Sequence, residues 1–329
     1  MSKVTRFVQE IKHLSAQEKY RKNLKVIQLS RFDSYFYRSF GMQFAYGHRE
    51  ILLRVMQQSL TTAFPLVLQH GVYTPGIAIQ KGVALTPRKN LWSRFRFVCF
   101  SKSDQENVRK YGIRDVVAIG APWLYLSDTE TKTKKNSLGF FPAHGNTAEA
   151  TPCSSLKDIS KRIQLVRKQF PGMRLTVFLY YSEFIRREWH ELSRDLGFEV
   201  FCAGLPLGHP VFTPHLSRID FLFNLKQKLS LMEACVYESY TSAILYAGSL
   251  GKSAALIRTP MTLIRFQEDP LEQSILEEVF RLGKAKNFVD EKILKDFSLE
   301  CLGQDALKRP EQLNSILEPI KLKSLEEIY

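Results

Sequence analysis

Paired cysteines are the first thing the sequence lacks. Cys99, Cys153, Cys202, Cys235 and Cys301 stand singly. There is no CxxC and no Cys/His cluster at zinc-ligand spacing, which argues against a disulfide framework and a structural metal. Long apolar runs are also missing: none approaches the roughly 20 residues that span a bilayer. The N-terminus has neither the apolar core nor the cleavage site of a signal peptide, so the reading is a cytoplasmic chain. No GxxxxGK[ST] phosphate loop and no GxSxG nucleophile elbow occurs. No RRM, KH or zinc-finger pattern occurs either, and nucleic acid is not an expected partner. Internal repeats and low-complexity tracts are absent.

What is present begins with charge. Against 33 Asp+Glu stand 47 Lys+Arg, a formal net charge of +14 over 329 residues. Nucleic acid, an anionic membrane surface and a phosphorylated substrate are the partner classes such a balance suits, and a solvated basic face suits it equally. Residues 3–14, "KVTRFVQEIKHL", set Val4, Phe7, Val8, Ile11 and Leu14 on one helical stripe with Lys3, Arg6 and Lys12 off it. That helix suits docking on a domain or lying on a membrane. In "WSRFRF" (92–97) basic and aromatic residues alternate, which could stack bases but is also the pattern of a half-buried strand.

The chain is long enough for two domains, and 44% hydrophobic residues can fill their cores. Strands are expected at 24–30, 65–69, 95–101 and 115–123, and helices at 49–60 and 102–112. This alternation marks a parallel sheet covered by helices. Residues 127–137, "SDTETKTKKNS", read as a charged linker. The pattern then restarts, with strands at 138–143, 173–181, 198–204, 234–239 and 253–257. Helices are expected at 155–170, 182–197, near 215–229 and at 240–251, with an amphipathic helical tail beyond about 270. The expected organisation is an N-terminal Rossmann-like domain at 1–126, the linker at 127–137, and a C-terminal Rossmann-like domain at 138–329 ending in helices.

Two expected strands run into His-Gly: "FPLVLQHGVYTPG" into His70-Gly71, and "LGFFPAHGNT" into His144-Gly145-Asn146-Thr147. Ligands of open α/β sheets sit beyond the carboxyl ends of the strands, so both turns are candidates for one interdomain cleft. In "ACVYESYTSAILYAGSLGKSAALI" (234–257) a short strand ends at Glu238-Ser239, and Thr241 and Ser242 open a helix. Free N–H groups, the helix dipole and hydroxyl donors favour an anion there, although a single hydroxyl of this set could be a helix cap and nothing more.

These segments, over about residues 65–260, resemble the GT-B glycosyltransferases. The resemblance is greatest to the CDP-glycerol glycerophosphotransferase and capsule or lipopolysaccharide sugar-transferase group. The His-Gly of the first domain, "IGAPWLY" (119–125) with Gly120 closing it, "FFPAHGNT" opening the second and "ESYTSA" at the donor end follow that group's order. The glycerophosphotransferase His-Gly-Thr is His-Gly-Val here, and Asp-Tyr-Ser-Ser is "ESYTS". The resemblance implies a fold of two facing Rossmann-like domains with a cleft between them. It implies an enzyme of surface-polysaccharide synthesis that transfers a sugar from a nucleotide-sugar donor to a glycan or lipid-linked acceptor. A CMP-activated acidic sugar is slightly favoured as donor. The alternatives are transfer of a polyol phosphate from a CDP donor and a non-catalytic glycan-binding subunit. No cofactor or metal is implied, because the chain has no DxD and helix N-termini can receive the leaving phosphates instead. His70 is the candidate base. His144, Asn146, Thr147, Glu238, Ser239, Thr241 and Ser242 are candidate donor-binding residues. Gly71, Gly120 and His209, in the His-Pro of "GLPLGHPVF", are weaker candidates. The enzyme is expected to lie peripherally on the inner face of the cell membrane.

Overall fold

In a computed structural model, the described residues are 46–59, 62–64, 66–69, 96–110, 112–127, 132–143, 156–184, 186–204, 221–238, 241–257 and 288–321. The expected strand at 24–30 and the basic helix at 3–14 lie outside them.

Among the described residues the first helix, α1 (His48–Val55), leads into β1 (Thr62–Ala63), β2 (Val67–Leu68) and β3 (Phe97–Cys99). Then come α2 (Lys102–Lys110) and β4 (Val116–Ala118). Strands β2, β3 and β4 form one parallel sheet in that order. The expected strand at 115–123 ends early, because Gly120 takes a left-handed backbone (φ 81°) that turns the chain out of the sheet. Pro122–Tyr125 then form a 3₁₀ turn.

The second sheet contains β5 (Ser137–Phe141), β6 (Arg174–Phe178), β7 (Glu199–Phe201), β8 (Ala234–Tyr237) and β9 (Ser253–Leu256). It is parallel throughout, in the order β7-β6-β5-β8-β9. The first strand of the unit therefore lies at the centre and the chain winds outward both ways, the Rossmann order. The connections carry α3 (Leu156–Gln169), α4 (Tyr181–Phe184), α5 (Arg187–Leu196), α6 (Phe221–Ser230) and α7 (Ser242–Ser249). The chain is thus α/β with parallel sheets, as its sequence predicts. The single helix expected at 182–197 is two. Arg186 is extended between them (φ −80°, ψ 130°), and Glu183 accepts from both Arg186 (3.2 Å) and Trp189 Nε1 (3.0 Å) at the break.

Alternation along the central strands fills two cores. Leu138, Phe140, Leu175, Val177 and Val236 point to one face, where Ile159, Ile163 and Val166 of α3 and Trp189 of α5 cover them. Phe178, Cys235 and Tyr237 point to the other, into a core shared with Leu68, Val98 and Phe100 of the first sheet, α7, and the C-terminal helices. Phe141 stacks between Phe178 (4.4 Å) and Tyr237 (4.7 Å) on that face. Across the junction Trp123 stacks on Tyr246 of α7 at 4.4 Å and donates to Ser249 Oγ at 2.9 Å.

After β9 the described chain resumes with α8 (Glu291–Cys301), α9 (Pro310–Leu317) and β10 (Ile320–Lys321). α8 packs on α7, where Gly248 leaves room for Ser298 and Leu294. The segment beyond returns to the first sheet. Ala121 N–H donates to Leu302 O at 2.7 Å, and β10 pairs antiparallel with β1. Helical periodicity did not reveal that strand pair. Arg96, from the basic-aromatic stretch, donates to Asp115 Oδ1 (3.1 Å) and Ile316 O (3.0 Å). Of the polar stretch, residues 132–136 lie along the second sheet: Lys134 N–H donates to Leu231 O (2.9 Å) and Lys252 Nζ to Thr133 Oγ1 (2.8 Å).

Candidate functional site

The described part of the candidate site lies where β5 and β8 end side by side. Phe141 is in register with Tyr237, and the Glu238 N–H donates to Phe141 O at 3.1 Å. The next residues are the two stretches singled out in the sequence. After β5, Pro142 and Ala143 lead to His144; after β8, Glu238 leads to Ser239. The parallel pairing of the strands brings both departures to one sheet edge.

Glu238 ties them together. Its side chain is 0% exposed. Oε1 accepts from Arg162 Nε at 2.7 Å, and Oε2 pairs with Arg162 Nη2 and accepts the Ala143 N–H at 2.8 Å. Arg162 Nη2 also donates to Ala143 O at 3.4 Å. A bidentate guanidinium–carboxylate pair fixes direction as well as distance. A buried carboxylate survives only when paired and hydrogen-bonded. The glutamate that the sequence offers as a donor contact therefore faces inward, with both oxygens engaged. It positions the backbone that leads into His144.

Arg162 was not singled out from sequence, yet it leaves a signal. Ile159, Ile163 and Val166 form the buried stripe of α3, and position 162 lies on that stripe by its i+3 and i−4 spacing. A charged residue on an apolar stripe requires an opposite charge below it.

Beyond Glu238 the chain enters α7. Thr241 is its N-cap, extended (φ −153°, ψ 148°), with its hydroxyl accepting from Ala243 N–H at 3.4 Å. Ser242 is the first helical residue, half-buried. The helix behind it, Ala243 to Gly248, is buried, so its axis is held by packing on both sheets' shared core. Thr241 thus has a capping job. The N–H groups of the first turn lie at the carboxyl edge of the sheet, where a dipole and donors can receive negative charge.

Gly120 has a packing reason for its identity. A methyl group there would lie 2.7 Å from Leu307 Cδ2 and 3.1 Å from Gly303 O, so the returning C-terminal segment covers it. His70, Gly71, His144, Asn146, Thr147, His209 and Ser239 lie outside the described residues. Among the described residues no group of three or more His, Cys, Asp or Glu could hold a metal ion, and no helix is long and apolar enough to cross a membrane. Cys99, Cys235 and Cys301 are buried free thiols.

No protein-family model matches the sequence, and no curated protein matches it. Solved structures similar in shape include the UDP-GlcNAc 2-epimerase of Neisseria meningitidis bound to UDP-GlcNAc. It is 11% identical with a TM-score of 0.36, over 76% of this chain and 67% of that one. TarM of S. aureus, in complex with Fondaparinux, alpha-GlcNAc-glycerol and UDP, is 10% identical with a TM-score of 0.29, over 67% of this chain and 42% of that one. CalG4, the calicheamicin glycosyltransferase, is 16% identical with a TM-score of 0.31, over 73% of this chain and 57% of that one. The chain therefore spans under two thirds of TarM and of CalG4. Likeness at this level assigns no chemistry, which has to come from the side chains.

Proposed function

We propose that the chain is a GT-B transferase that moves a sugar from a nucleotide donor to a glycan or lipid-linked acceptor. The two parallel sheets are its acceptor-side and donor-side units, divided near residues 127–137. The observation that carries the reading is the Glu238–Arg162–Ala143 network. It joins Ala143, the residue before His144, to Glu238, which lies three residues before the N-cap of α7, so the departures from β5 and β8 are tied together at one edge of a Rossmann-ordered sheet.

The chemistry asked of these groups is charge stabilisation. As the acceptor oxygen attacks the anomeric carbon, the bond from that carbon to the donor phosphate breaks and the phosphate takes the electron pair. Donors fixed beforehand around that oxygen cost no reorganisation during the reaction. Ser242 and the α7 N–H groups, with His144, Asn146, Thr147 and Ser239, are assigned to the phosphates. His70, following β2 on the other sheet, is assigned to the proton of the acceptor hydroxyl. Glu238 supports the donor loop from beneath. We place the enzyme at the inner face of the cell membrane, held by its excess of 14 positive charges. A CMP-activated acidic sugar is the favoured donor. A CDP-polyol, whose phosphoryl group would be transferred instead, fits the same edge and is separated in the same experiment.

That experiment is a thermal-shift screen with CMP, CDP, UDP and GDP, followed by transfer assays with the matching donors. Stabilisation by at least one nucleotide, with turnover of its sugar conjugate, is expected. A nucleotide response with no turnover of any donor would leave a glycan-binding subunit. No response at all would refute the reading.

A further inference from the structure

A second buried polar cluster stands at the carboxyl ends of β2 and β3, on the other sheet. Gln69, the residue before His70, accepts the Phe100 N–H on Oε1 (3.1 Å) and donates from Nε2 to Asp104 Oδ2 (3.1 Å). Ser101 accepts the Asp104 N–H on Oγ at 3.0 Å, capping α2. Asp104 is 2% exposed. Its second oxygen, Oδ1, is buried with no hydrogen-bond partner, and so is Nδ2 of Asn107. The i, i+3 spacing puts the two on one face of α2.

Native interiors rarely leave such atoms unmet, and each asks for an explanation. One atom is an acceptor of strong hydrogen bonds and the other is a donor. An anionic group is repelled by Asp104 and cannot satisfy it. A hydroxyl satisfies both, giving its proton to Asp104 Oδ1 and taking the Asn107 amide N–H on its oxygen. The charged and titratable surroundings do not compete for that role. Cys99 of β3 and Cys301 at the end of α8 are thiols pushed far up by burial, with the Asp104 charge adding to the rise, while Arg109 of α2 acts on Cys99 in the opposite direction. Burial pushes the Asp104 carboxyl up to about 6, against the hydrogen bonds of Gln69 and Ser101. The group therefore changes charge near pH 6.

We propose that Asp104 and Asn107 form a hydroxyl-binding subsite for a neutral sugar or polyol, beside the strand end that leads to His70. Giving that hydroxyl to the acceptor substrate rests on the transferase reading; the subsite itself does not. Neither atom touches solvent, so the ligand enters by displacing what covers them.

The test is carboxyl ¹³C NMR of the full chain labelled at aspartate, with Asp104→Asn to assign the resonance. The probes are glycerol and methyl glycosides, titrated with pH. The Asp104 resonance should titrate near pH 6 and move its midpoint when a probe binds. Asn107→Ala, at a half-buried position, should weaken that response about tenfold. In transfer assays, Asp104→Asn should raise the acceptor KM about tenfold or more, leave nucleotide affinity unchanged, and remove the acid limb of the rate profile. If Asp104→Asn does not fold, Asn107→Ala supplies the acceptor KM comparison. An Asp104 resonance indifferent to every probe would overturn the subsite, and an unchanged acceptor KM would overturn its assignment to the acceptor. If no nucleotide binds the wild type, the transferase reading falls while the NMR response still decides the subsite.

Discussion

Removing Arg162 strands a carboxylate that has no exposed surface. In Arg162→Ala, Glu238 keeps the Ala143 N–H (2.8 Å) and loses the guanidinium that meets both of its oxygens. Breaking a buried pair from one side costs about 3–5 kcal/mol, because an uncompensated charge stays buried. Glu238→Ala should cost a similar amount, since the Arg162 side chain is only 6% exposed. The double variant Arg162→Met/Glu238→Leu separates the pair from its packing. Apolar residues in place of a buried ion pair are often neutral or stabilising by about 1–4 kcal/mol, while the Ala143 N–H loses its acceptor at about 1–3 kcal/mol. The double variant should therefore unfold within about 2 kcal/mol of the wild type, far better than either single. The assay is urea unfolding followed by fluorescence, with Trp189 buried in the core below α3 as a reporter. With Arg162→Met and Glu238→Leu measured singly to close the cycle, a coupling of about 3 kcal/mol or more is expected. Singles that each cost under about 1 kcal/mol, or effects that simply add, would show that the network does not hold the strand ends. Nucleotide affinity of the stable double variant then reports on positioning, and it should fall although the fold is retained.

Other substitutions test other joints. A Gly303→Ala methyl would overlap Phe100 O at a left-handed residue (φ 73°), so the variant should lose about 1–3 kcal/mol from overpacking alone in thermal melts; an unchanged melt would contradict the described seat of the C-terminal segment. Asp104 has its pKa raised, so its folded form binds the proton more tightly than its unfolded form. Its contribution is therefore fullest below the unfolded value and is lost as pH rises to about 6. Asp104→Asn should accordingly gain on the wild type by a few kcal/mol in urea titrations between about pH 4 and pH 7, and a constant difference across that range would contradict the burial of the charge. His70→Ala should lower turnover about 10²–10⁴-fold with nucleotide affinity nearly intact by calorimetry, and full transfer activity would remove His70 as the base. Binding to anionic vesicles should weaken with added salt; equal binding to neutral and anionic vesicles, or none to either, would leave the charge to substrate or solubility.

Much of the second sheet was legible because a parallel sheet covered on both faces needs apolar strands. The runs around Leu138, Leu175 and Val236 are of that kind. Glycine and the hydroxyl residues marked where helices begin and end, as at Thr241 and Gly197. The pairing of β1 with β10 was not legible. Two residues on each side give no periodicity, and the partners stand more than 250 positions apart: Thr62 meets Lys321 and Ala63 meets Ile320. Side-chain direction was the other gap. The sequence puts Glu238 beside a helix start but does not say that the carboxylate turns inward, because its partner Arg162 comes from α3, 76 residues earlier. Both Arg162 and Asp104 stand among residues their helices bury, and both carry a charge there. That conflict between pattern and residue type was the sequence-level sign of the two polar clusters.

The measurement closest to the central claim is calorimetric titration of the wild type, Thr241→Ala and Ser242→Ala with CMP, CDP and UDP. The account predicts saturable binding of at least one nucleotide by the wild type. Loss of a hydrogen bond to a charged phosphate should weaken it about tenfold or more in Ser242→Ala. Thr241→Ala should add the cost of its lost helix cap, about 1 kcal/mol in stability. Folded variants that bind as tightly as the wild type would reduce this edge to a helix cap, and a wild type that binds no nucleotide would contradict the account outright.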